Sequence, residues 1–210
     1  MVRLLRSLSV LVLILMSVAC TTPQTPVTTA SPAKVADTKV ALRDLWLGHI
    51  LGIRNVAVAT MDKNAAARES AETSVVANAR QIAQSIEPFY GKPASDKLFS
   101  LLAGHYGAIR DDLDATVAGN AAQQEVAIKA LTANAGEIST FLSGANPYLP
   151  KDAVMGLLTA HAAHHIQQFQ QLKAGEYAQE AETWNGMKKH IYVVADALTG
   201  ALAQQFPAKF

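Results

Sequence analysis

Residues 101–106 read LLAGHY; the chain reads LWLGHI at 45–50 and LLTAHA at 157–162, so histidines stand at 49, 105 and 161, each 56 residues from the next. The segments between them keep the same register. ANA at 77–79 recurs at 133–135, and Ile82 matches Ile138 and Val194 without a gap. A constant period of this length marks one supersecondary unit used several times. Within each unit apolar residues recur at three- and four-residue spacing with no alternation, which reads as helix throughout. Turn signals divide the chain at DKN (62–64), YGKP (90–93), GN (119–120), NPYLP (146–150) and AGE (174–176). The expected fold is all-α: an antiparallel up-and-down bundle of six helices from three helical hairpins of about 56 residues, starting near residues 37, 93 and 149.

The register predicts which residues share a height. In an antiparallel hairpin, two residues whose numbers average to the turn centre lie side by side. His49 with Asn78 averages 63.5, His105 with Asn134 averages 119.5, and His161 with His190 averages 175.5, and all three values fall in the turns. One polar layer is therefore expected: His49, Asn78, His105, Asn134, His161 and His190. Leu101 and Ile109 flank His105, and Leu45 and Ile53 flank His49, so the histidines lie on the apolar stripes of their helices and face inward.

The third hairpin departs from the other two in one direction. His165 stands where they have Ile53 and Ile109, His164 where they have Gly52 and Ala108, and His190 where they have Asn78 and Asn134. His161 and His165 are spaced i, i+4, which presents two imidazoles on one helix face at a separation that one ion can bridge. Met187 lies one turn before His190 and is expected at the height of His164 and His165. Imidazole with thioether suits copper, whereas imidazole alone also suits zinc, nickel or iron. The candidate ligands are His161, His165 and His190, with His105, His49, His164 and Met187 as further members. Copper is expected first and zinc second. Haem is not expected, because no CxxCH attachment motif exists.

A carboxylate-bridged di-iron site is also not expected, since no Asp or Glu stands three or four residues from any of these histidines. No GxSxG, HExxH, phosphate loop or cysteine nucleophile occurs in the chain, and no catalytic residue is assigned. Lys and Arg (18) balance Asp and Glu (17), so no field exists to gather nucleic acid.

The first twenty residues, MVRLLRSLSVLVLILMSVAC, combine a positive start, an apolar run and small residues before a cysteine. They read as an export signal (1–19). SVAC resembles a bacterial lipobox, which implies lipid attachment at Cys20. Ser17 departs from the larger aliphatic residue usual at that position. Cys20 is the one cysteine in the sequence, so acylation accounts for an exported thiol without a partner in the chain. Residues 20–36, rich in Thr, Pro, Ser and Ala, read as a disordered tether to a domain spanning 37–210. The sequence thus points to a membrane-anchored lipoprotein of the cell envelope or periplasm that binds a transition metal for storage, buffering or sensing. The alternative is a non-catalytic structural or interaction module in which the His/Asn layer sets helix register through hydrogen bonds.

Overall fold

The computed structural model describes residues 29–210. The expected export signal, Cys20 and the tether up to residue 28 lie outside the described residues. The rest is helical, with no strand among the described residues. Six long helices, α1 (Pro32–Met61), α2 (Ala65–Ser85), α4 (Lys92–Ala118), α5 (Ala121–Ala145), α6 (Lys151–Ala174) and α7 (Tyr177–Gln205), are joined by α3, a single turn at Glu87–Tyr90, and closed by a 3-10 turn at Pro207–Lys209. No helix among the described residues is long and apolar enough to cross a membrane.

The five sequence turn signals all fall at helix breaks, but one helix start comes earlier than expected. α1 begins at Pro32, ahead of the boundary placed near residue 37, because Pro32 occupies the first turn, where its missing N–H and fixed φ are tolerated, and Val35 packs on the apolar core. α4 begins at Lys92, close to the start expected near residue 93, again with a proline in its first turn.

The three tight turns are built alike. Lys63, Gly119 and Gly175 all have left-handed φ, of 55°, 68° and 72°. In each turn the following residue closes a bond to the carbonyl five residues back: Asn64 N–H to Ala59 O, Asn120 N–H to Ala115 O, and Glu176 N–H to Gln171 O, each 2.9 Å. This is the left-handed helix cap that glycine adopts without strain. Asn64 and Asn120 then cap the next helices by accepting from Ala67 N–H and Gln123 N–H. Lys63 is the one member with a side chain to clash. Replacing Lys63 by glycine is expected to raise stability by about 1 kcal/mol, the left-handed penalty less the entropy glycine adds to the unfolded chain. Replacing Gly119 by alanine is expected to lower it by a similar amount, and urea midpoints of the two variants check both.

Each long helix packs on the next, and α7 packs back on α1, so the succession closes on itself; α1, α4 and α6 also touch one another in the interior. Two bidentate pairs tie α1 to α7. Arg43 donates to Asp196 at 2.7 and 2.6 Å, and Arg54 donates to Glu180 at 2.8 Å twice. Glu180 is buried and accepts a third bond from Gln168 Nε2, so Arg54→Met is expected to cost about 3 kcal/mol by leaving a buried carboxylate without its cation, read as a drop in the denaturation midpoint.

Apolar side chains form the core on both sides of the histidines. Towards the three tight turns pack Ile53, Val56, Ile109, Leu113, Leu131 and Phe169. Towards the other end pack Leu42, Trp46, Ile82, Leu98 and Val194, beside a smaller cluster around Leu101, Ile138 and Leu158.

Candidate metal centre

His49, His105 and His161 occupy the same register on α1, α4 and α6, the three helices that meet in the interior. Their ring centroids form a triangle with sides of 5.5, 5.9 and 6.5 Å. His165, one turn beyond His161 on α6, lies 4.6 Å from it and 6.2 Å from His49. All four side chains are buried.

Helix α2 contacts this layer through Asn78, and α5 through Asn134. Asn78 Nδ2 donates to Leu45 O and Asn134 Nδ2 donates to Leu101 O, both at 3.0 Å. Glycines 48 and 104 make room for these amides, since a Cβ would stand 3.0 Å from Asn78 Nδ2 at Gly48 and 3.3 Å from Asn134 Nδ2 at Gly104. In the third hairpin Ala160 replaces the glycine and His190 the asparagine. His190 Nε2 lies 2.9 Å from Leu157 O and donates to it, the equivalent tie at the same sequence separation of 33.

These ties sort the imidazoles. His105 Nδ1 lies 3.1 Å from Asn134 Oδ1, which accepts its proton and leaves Nε2 as the basic nitrogen. His49 Nδ1 and both ring nitrogens of His161 and His165 have no hydrogen-bond partner among the described residues. Orphaned polar atoms of this kind cost roughly 1–3 kcal/mol each, and a site carrying five of them calls for a ligand.

His49, His161 and His165 can hold a metal ion. One nitrogen from each lies within 4.8 Å of the others. A common point then exists within about 2.8 Å of all three, against the ~2.0–2.1 Å of a bound imidazole, so inward shifts of under about 1 Å close the site. Burial holds all four histidines neutral, which is the state a ligand requires. The His49 pKa is pushed down to about 3 by desolvation and then by His105, and that of His105 to about 4 by desolvation, against the opposing bond to Asn134. His161 and His165 are held well below the usual histidine range by the same burial and by the neighbouring imidazoles.

His190 and His164 lie outside this three-ligand group. His190 is committed to Leu157 O. His164 is half-buried, 5.6 Å from the His190 ring and beside Gly186, and burial lowers its pKa. Met187 is fully buried in the apolar cluster with Ile50 and Ile191. Heights along the hairpins placed His190 with His161, but they carry no information on which helices face one another across the interior. The signal for His49 lay in the 56-residue spacing itself, since His49, His105 and His161 stand on three helices that touch one another in the interior.

A further buried feature escaped the sequence reading. Tyr90 Oη donates to Gln205 Oε1 at 2.7 Å and accepts from Asn146 Nδ2 at 2.9 Å, which joins α3, the loop after α5 and the end of α7. Comparison of the chain with protein-family models, with curated proteins and with solved structures returned no match.

Proposed function

We propose that the protein is a cell-envelope lipoprotein, anchored through acylated Cys20, that holds one transition-metal ion on His49, His161 and His165 for storage, buffering or sensing. The observation that carries this reading is the convergence of three buried, neutral imidazoles with no protein hydrogen bond on five of their ring nitrogens. The donor set suits copper and zinc. Copper comes first, as Cu(I), because the group contains no carboxylate, and the cost of burying an ion grows with the square of its charge, about fourfold from monovalent to divalent. The arrangement favoured for the chain is three equivalent hairpins in an up-and-down bundle; the like turns and the three side-chain-to-carbonyl ties support it.

Titration of the full chain with Cu(I) against a chromophoric chelator tests the metal. One equivalent is expected per chain, and failure to compete for any copper would overturn the reading. Asn134→Ala removes the acceptor that fixes His105 and its tie to Leu101, and is expected to cost about 1–2 kcal/mol of stability in the urea midpoint. Labelling of cells with radioactive palmitate tests the anchor. The wild-type chain is expected to take up label and Cys20→Ala to take up none.

A register-setting module is the second reading. It is favoured by the bonds of Asn78, Asn134 and His190 to the neighbouring helix, and it accounts for those three residues without accounting for His161 and His165.

A further inference from the structure

A cavity of about 60 Å³ starts at the histidine layer and runs towards the far end of the helices. His49, His105 and His161 line one end of it, and His165 lies on the other side of the layer, against Phe169. Between the ends the walls are Leu42, Trp46, Ile82, Leu98, Ile138 and Val194, with other apolar side chains from all six long helices.

The polar groups at the far end are already bonded to one another. Tyr90 and Asn146 are joined as described, Asn146 Oδ1 accepts from Tyr148 N–H, and Ser85 Oγ donates to Ile82 O. No charged side chain lines the cavity. A charged ligand would lose its hydration with nothing to replace it. Water needs two to four polar partners, and the unpartnered polar side-chain atoms lining this cavity are those of the imidazoles and Trp46 Nε1. A cavity of about 150 Å³ takes benzene, so this one, at about 60 Å³, takes a molecule of about two or three heavy atoms.

Three imidazoles leave a metal's fourth position open, and two of the three, His49 and His161, face this cavity. We propose that the cavity is the chamber for a small uncharged diatomic ligand, of the dioxygen and nitric oxide class, which binds the open position of the metal. The proposal rests on the metal reading above. Small size and an apolar wall select the ligand, and the metal supplies the bond. Val194 lies on the wall away from the histidine group, so its replacement by phenylalanine fills much of the space without touching a ligand.

The test uses carbon monoxide as the probe of the Cu(I)-loaded full chain and xenon as the probe of the metal-free chain. A single C–O stretch is expected in the infrared spectrum. Val194→Phe should keep one copper per chain and lower the carbon monoxide affinity at least tenfold. Ile138→Phe serves as the alternative if Val194→Phe does not fold. Under pressure xenon should shift the NMR signals of the cavity-lining methyl groups in the wild type and not in the filled variant. Copper bound with no carbon monoxide uptake, or with uptake unchanged in the folded filled variant, would overturn the chamber and leave the metal site standing. No copper uptake at all would overturn both, whereas xenon shifts would then still show the cavity to be accessible.

Discussion

Replacing His161 and His165 together by leucine is expected to make the metal-free protein more stable and to abolish its metal binding. The substitution removes four ring nitrogens that have no partner among the described residues and puts apolar groups of similar size into a site walled by apolar side chains. Each orphaned polar group costs about 1–3 kcal/mol, so after imperfect packing a gain of about 2–4 kcal/mol is expected. At roughly 2–4 °C per kcal/mol for a domain of this size, the thermal midpoint should rise by about 5–10 °C. With metal the order reverses: an ion at a thousand times its Kd adds about 4 kcal/mol to the wild type and nothing to a variant that cannot bind it. Calorimetry of both proteins, with and without Cu(I), reads all four values. A variant that loses stability and keeps its metal shift would mean that the two histidines are packing residues and that the ion binds elsewhere.

Acid is expected to unfold the metal-free protein steeply between pH 6.5 and pH 4. His49 and His105 have folded pKa values of about 3 and about 4, and those of His161 and His165 are also well depressed, all by burial. In the unfolded chain the four return to about 6.5. Below that pH the unfolded state holds more protons than the folded one, so stability falls as pH falls and recovers as it rises. The loss ends only when the folded imidazoles themselves protonate, near pH 3 to 4 for His49 and His105. At pH 5 the difference approaches four protons, a slope of about 5 kcal/mol per pH unit, which exceeds the reserve of most domains within about two units. The leucine double variant should show about half that slope. Bound metal should move the transition to lower pH, because protons then compete with the ion for the same nitrogens. Urea unfolding at a series of pH values measures the slope, and a flat profile from pH 7 to pH 5 would contradict the burial of these groups.

Much of the helix pattern was legible because the local chemistry of turns is explicit. Asn64 and Asn120 cap helices, and Gly119 and Gly175 supply the left-handed residue, in a few positions each. DKN marked the first turn, but Lys63 gives no sign of the left-handed residue it supplies there, and only its 56-residue spacing from Gly119 exposes the likeness. The inward direction of His49, His105, His161 and His165 also followed from the apolar stripes. Two things were not legible. Whether a given imidazole is free or committed depends on atoms that the pattern does not locate. His190 shares the layer with His161 yet donates to Leu157 O, whereas His49, with three long helices between it and α6 in sequence order, joins His161 and His165. The cavity was equally hidden, since it is the space left between Leu98, Ile138 and Val194 on three different helices and no one segment encodes it.

X-ray absorption spectroscopy of the full chain loaded with one equivalent of Cu(I) reads whether His49, His161 and His165 together hold one ion. A shell of three imidazole nitrogens at about 2.0 Å is expected, with no sulfur scatterer, reduced in each of the single His→Ala variants at 49, 161 and 165 and unchanged in His190→Asn. A shell containing sulfur, or one that survives in all three alanine variants, would contradict it.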